Sequence, residues 1–143
     1  MLLRRLELFG FKSFAKRTKL EFGPGITALV GPNGSGKSNI ADAIRWALGE
    51  QRLKLLRCEK IEDLIHLSPD KHRSPGFCEV VLILDNSSGI LPLDYSEVEV
   101  SRRAYRSGES EFKLNRTRCR LKDIQELFLD TGLGRDTYAL INQ

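Results

Sequence analysis

Residues 26 to 38 read Ile26-Thr27-Ala28-Leu29-Val30-Gly31-Pro32-Asn33-Gly34-Ser35-Gly36-Lys37-Ser38. The apolar run Ile26 to Val30 is what a strand covered on both faces of a parallel sheet requires. Beyond Ser38, apolar residues fall at Ile40, Ala43, Ile44, Ala47 and Leu48, the spacing of a helix with one buried stripe. Gly49 stands where a glycine ends such a helix. Strand, glycine-rich loop and helix therefore follow one another without interruption.

Residues 31 to 38 fit G-x-x-x-x-G-K-S, and the flanking elements give that pattern its meaning. Gly31, Gly34 and Gly36 let the backbone turn sharply and aim N–H groups at phosphate oxygens. The helix start adds partial positive charge. Lys37 is a flexible cation able to bridge β- and γ-phosphates, and the Ser38 hydroxyl suits Mg²⁺. Pro32, Asn33, Ser35 and Asn39 complete the candidate cradle. The expected ligand is ATP with Mg²⁺; the competing reading is a glycine-rich turn that binds nothing.

Working outward, Leu2 to Phe9 and Lys19 to Phe22 read as two early strands, and Pro24-Gly25 as a turn. Phe77 to Leu84, Glu97 to Tyr105 and Glu111 to Leu114 read as strands of an antiparallel meander, with Asn86-Ser87-Ser88-Gly89 and Ser107-Gly108-Glu109-Ser110 as its turns. Leu121, Ile124, Leu127 and Phe128 mark a short amphipathic helix. The predicted fold is α/β, with a mixed sheet, an antiparallel layer and the helix after Ser38 packed on it. Asp85 ends the run Val80 to Leu84 and superficially resembles the strand-end acid of an NTP hydrolase. Asn86 and a turn follow it, which favours an aspartate that merely starts a turn. No L-S-G-G-Q-like segment occurs. The chain is thus expected to bind nucleotide and hydrolyse it poorly alone.

The 143 residues are 41% apolar and 29% charged, a composition that argues against intrinsic disorder. No apolar run approaches the ~18 residues of a membrane-spanning helix, and the expected location is the cytoplasm. Cys58, Cys78 and Cys119 are widely spaced and suggest neither disulfide framework nor zinc site. From Ser101 to Lys122 eight Lys or Arg face two Glu, a local charge of +6 in a chain of net +4. Such a concentration suits a polyanion contact, against the plain alternative of solvated basic strands. Arg116, Arg118, Arg120 and Lys122 fall two apart and would share one face if that segment were extended. With Lys60, they are the candidate double-stranded DNA contacts, tracking phosphates without reading bases.

Several further motifs lie beside these: Gly10-Phe11-Lys12-Ser13-Phe14, Gly31 through Ile40, Ala43-Ile44-Arg45-Trp46, Leu48-Gly49-Glu50-Gln51, Arg57, Ile61-Glu62-Asp63-Leu64-Ile65, Arg102-Arg103, Tyr105 to Phe112, Cys119 to Ile124 and Gly132-Leu133-Gly134. Together they closely resemble the N-terminal head of bacterial structural maintenance of chromosomes (SMC) proteins. The resemblance implies a P-loop NTPase of ABC type, residues 1–143 being the N-terminal half of the head. The C-terminal half, coiled coil and hinge would lie elsewhere. It implies that Lys12 and Ser13 lie beside the nucleotide, that Arg57 is the R-loop arginine, and that Gln143 helps ligate Mg²⁺.

The partners it implies are the C-terminal half of the same head, a second SMC subunit in a homodimer, a kleisin-type subunit and DNA at the nucleoid. Membrane is not among them. Three alternatives stay open: a nucleotide-gated assembly module without turnover, a recombination or repair ATPase of the same superfamily, and a generic phosphate-loop kinase. The antiparallel meander is unusual in the last.

Overall fold

The computed structural model describes residues 2–22, 35–69 and 74–129. Its six strands are β1 (Leu2–Phe9), β2 (Thr18–Glu21), β3 (Phe77–Asp85), β4 (Glu97–Tyr105), β5 (Ser110–Leu114) and β6 (Thr117–Cys119). Two helices, α1 (Ser35–Ala47) and α2 (Leu121–Leu129), and two 3-10 turns, Leu53–Leu56 and Ile61–Leu64, complete the described residues. The strands form one sheet in the order β2-β1-β3-β4-β5-β6, and every neighbouring pair is antiparallel. The expected meander is thus present. The expected strand Ile26 to Val30, which would supply a parallel partner, lies outside the described residues.

Alternation decides which face of the sheet is covered. Leu6 and Leu8 of β1, Val80, Leu82 and Leu84 of β3, and Val98 and Val100 of β4 are all buried. They point to one side, and α1 packs over that side with Ala43, Ile44 and Ala47. Burial of each large aliphatic side chain contributes roughly 1.5–3 kcal/mol. Alpha1 is more deeply set than its apolar stripe indicates, because Asn39, Asp42 and Trp46 are also buried. Trp46 stacks at 5.7 Å on Phe11 from the loop after β1, so that loop is fixed against the helix. Gly49, at φ 110, ends α1.

Two local features differ from the sequence expectation. Beta6 was not anticipated; it pairs with β5 across a tight turn in which Asn115 and Arg116 both have positive φ, 48 and 68. Two-residue hairpin loops favour that backbone because its twist matches the strands, but Asn-Arg is a weaker signal than Asn-Gly. Residues 116 to 122 are therefore not extended throughout. Arg116 sits in the turn, Arg118 in β6, Arg120 just before α2 and Lys122 inside it, so the single basic face expected of them does not form. Among the described residues no helix is long and apolar enough to cross a membrane.

Candidate functional site

Alpha1 starts at Ser35, inside the glycine-rich stretch and five residues ahead of Ile40, where its apolar periodicity begins. The backbone of Ser35, Gly36, Lys37 and Ser38 forms its first turn, and no acidic side chain stands there. Such a turn leaves N–H groups without intrahelical acceptors and carries the positive end of the helix dipole, so it fits a phosphate group. Ser38 is half-buried. Pro32, Asn33, Gly34 and Gln143 lie outside the described residues.

One turn further along, the helix meets two other segments. Gly10, at φ 62, turns the chain out of β1 where an added Cβ would lie 2.6 Å from the Phe77 carbonyl oxygen. Phe11 bridges to Ile65, Lys12 N–H donates to the Leu64 carbonyl at 2.8 Å, and His66 N–H donates to the Gly10 carbonyl at 2.7 Å. That stitching presents Lys12 and Ser13 to α1. From the other side, the 3-10 turn Leu53–Leu56 ends on Arg57, which has a left-handed backbone and whose N–H donates to the Lys54 carbonyl at 3.1 Å.

The side chains converge. Lys12 Nζ lies 2.7 Å from Asp42 Oδ2 and also donates to the Leu56 carbonyl. Arg57 donates to the same oxygen from Nε at 3.0 Å and from Nη2 at 2.6 Å. Asn39 accepts from Arg57 Nη2 at 2.9 Å and donates to Ser13 Oγ at 2.8 Å. Four residues selected from sequence, Lys12, Ser13, Asn39 and Arg57, thus form one connected network beside the first turn of α1. Lys12 and Arg57 share a rare trait for non-glycine residues, φ 48 and φ 57. Each such backbone costs on the order of 1–3 kcal/mol and persists only where its surroundings enforce it.

Asp42, the hub of this network, was missed by sequence reasoning. A signal existed: it is the sole acidic residue of α1 and stands three positions after Asn39, on the same helical face.

The candidate DNA contacts are differently placed. Arg116 pairs with Glu99, Arg118 with Glu111, Arg120 with Asp123, and Lys122 with Glu126; Lys60 lies 3.9 Å from Glu62. Arg118 holds the Glu111 carboxyl below its ordinary range, and Arg120 does the same to Asp123. Arg103 pairs with Glu79 at 2.7 Å, and Arg102 is buried. The basic concentration seen in the sequence is thus largely balanced by acids from neighbouring strands and from α2.

Asp85 fulfils the turn-starting role. Its carboxylate accepts from the Ser87 N–H at 2.9 Å and from Arg4 at 3.1 Å, and the Ser87 and Arg4 bonds bring its pKa down to about 2. The three cysteines are free thiols. Burial pushes all three upward in pKa, Cys78 to about 12, which disfavours the reactive thiolate.

Comparison with known proteins bears on the family and the fold. The family model described as RecF/RecN/SMC N terminal domain matches residues 2–137. The Chromosome partition protein Smc of Bacillus subtilis (strain 168) is 55% identical over 143 residues, all of this chain and 12% of that protein. A structure from work on ATP-driven dimerization and DNA stimulated activation of SMC ATPases superposes with a TM-score of 0.89 at 35% identity, over 100% of this chain and 87% of that one. The Smc head of Pyrococcus furiosus with an extended coiled coil, bound to the C-terminal domain of ScpA, gives 0.83 at 37% identity, over 91% and 33%. With a family match over nearly its whole length and the same fold in solved SMC heads, the chain belongs to the RecF/RecN/SMC N-terminal domain family and has the α/β fold of an SMC-type ATPase head.

Proposed function

We propose that residues 1–143 are the ATP-binding N-terminal half of an SMC-type head. In this reading the loop Gly31 to Ser38 cradles the nucleotide phosphates, with Lys37 as the cation on the β- and γ-phosphates. Lys12, Ser13 and Asn39 lie beside it, and Arg57 reaches the phosphates or the opposing head. Ser38 and Gln143 would hold Mg²⁺, which when bound supplies charge neutralisation at the phosphates. The observation that carries the reading is the junction of an acid-free helix start with the Lys12–Asp42–Arg57 network.

ATP then joins two heads of a homodimer across the nucleotides, and hydrolysis in the complete head releases them for chromosome condensation and segregation. Asp85 is engaged by Ser87 and Arg4, which supports the absence of a hydrolytic acid in this half and its completion by a C-terminal half. The remaining partners in this reading are a kleisin-type subunit, as ScpA is for the Pyrococcus head, and double-stranded DNA bound without strong sequence preference. The site of action is the nucleoid in the cytoplasm.

Isothermal calorimetry on the full-length protein tests the core of this reading. Lys37→Ala should abolish most ATP affinity with the fold intact; unchanged binding would remove the loop's assignment. Turnover measured with and without the C-terminal half separates a split enzyme from a nucleotide-gated module.

A further inference from the structure

Asp42 is not among the residues a phosphate loop requires, yet it holds both Lys12 and Arg57. Its side chain is 3% exposed, and a carboxylate so buried keeps its charge only where opposite charges compensate it. Lys12, 11% exposed, supplies one such charge from beneath. Arg57 supplies the other, but its side chain is 52% exposed. The acid is thus enclosed while one of its two cations faces out.

The donors explain why. Nε and Nη2 of Arg57 are consumed by Asp42 and Asn39, which stand at i and i+3 on one face of α1. Two anchored nitrogens fix the plane of a guanidinium. Among the described residues Nη1 makes no hydrogen bond, so that edge of the fork is left open. Arg57 makes these bonds from a left-handed backbone, φ 57. A cation that must meet an anionic transition state acts best when its orientation is set beforehand.

We propose that Asp42 is a positioning residue of the nucleotide site, one that acts through Arg57 by holding its guanidinium with the Nη1 edge presented to phosphate. Asp42 itself touches no nucleotide. The proposal rests on the ATP-binding reading of residues 31 to 38. If the wild-type full-length protein binds no ATP, that reading fails, and the proposal with it, before any Asp42 variant is made.

The test is a double-mutant cycle in the full-length protein, with DNA-stimulated ATP turnover as readout and unfolding temperature followed separately. Asp42→Asn is expected to lower kcat about tenfold with KM within about threefold, as Arg57→Ala does, and the two together should lower it no further than either alone. Losses that multiply, or an Asp42→Asn enzyme with wild-type kcat, would overturn the proposal. Should Asp42→Asn leave Lys12 buried without a counter-charge and fail to fold, Lys12→Met with Asp42→Asn removes both charges at once. In that background Arg57→Ala should change the remaining turnover less than about twofold, whereas a persisting tenfold loss would refute the role.

Discussion

The guanidinium carbon of Arg102 stands 4.6 Å from the centre of the Trp46 ring, while its Nη1 donates to the Trp46 carbonyl at 2.9 Å. The same nitrogen donates to the Glu50 carbonyl at 2.9 Å, and the Phe112 ring lies 4.6 Å away on another side. Arg102 is 6% exposed, and burial lowers its pKa to about 10, so the group remains charged at neutral pH. A cation thus sits at the C-terminal, negative end of α1 and ties the helix that begins in the glycine-rich stretch to the middle of the sheet.

Arg102→Ala should therefore lower the unfolding free energy by about 3 kcal/mol, through lost packing and lost bonds to the end of α1. Arg102→Met should recover part of that, because the stem still fills the space between the two rings. Urea denaturation of the two variants against wild type measures both effects.

Asn86 makes a comparable tie in the β3–β4 connection. Its Nδ2 donates to the carbonyls of Leu91, Leu93 and Tyr95, and its Oδ1 accepts from the Leu91 N–H. The side chain is buried, so Asn86→Ala strands several backbone groups and should cost about 2 kcal/mol. Asn86→Asp should be worse, since a carboxylate would face three carbonyl oxygens. Thermal unfolding ranks the variants, and amide exchange at Leu91 should accelerate in both.

Acid should expose the Asp85 bonds. Its folded pKa of about 2 lies below the ordinary aspartate value of 3.8, so the folded state binds fewer protons between those values. The contribution is complete above about pH 4 and is lost as pH falls through about 2. Asp85→Asn should flatten that part of the stability profile and leave the profile above pH 5 parallel to wild type, as denaturation midpoints from pH 6 to pH 2 would record.

If DNA is tracked along the β5–β6 hairpin and the start of α2, charge reversal at Arg120 and Lys122 should weaken binding alike on all sequences. The slope of log affinity against log salt should fall by about 2, one counterion for each lost phosphate contact. Fluorescence anisotropy on the full-length protein over a salt series measures this; an unchanged slope would exclude the surface. Asp123→Asn, which frees Arg120 from its partner, should act in the opposite direction.

Much of this was legible from local pattern. The antiparallel meander follows from alternation in β3 and β4, where successive side chains must go to opposite faces, and β4 matches its expected bounds. Alpha1 follows from the spacing of Ile40, Ala43, Ile44, Ala47 and Leu48, all of them buried. Turn chemistry placed Asp85 correctly as well. Beta6 escaped because Asn115-Arg116 carries the required left-handed backbone without a glycine, and the short 3-10 turn at Leu53–Leu56 escaped because four residues hold too little periodicity to read.

The sequence alone determined the family, the antiparallel strands, the helix that follows the glycine-rich loop and the residues gathered around its start, because each rests on near neighbours in the chain or on motifs of fixed spacing. Tertiary structure alone decided which charges are available. Asp42 drew in Lys12 from 30 residues upstream and Arg57 from 15 downstream, while strand pairing set Glu99 beside Arg116 and Glu111 beside Arg118. The physical reason is that a charge is valued by what the fold brings within a few ångströms of it and how much water it removes, and neither quantity is written in residue spacing.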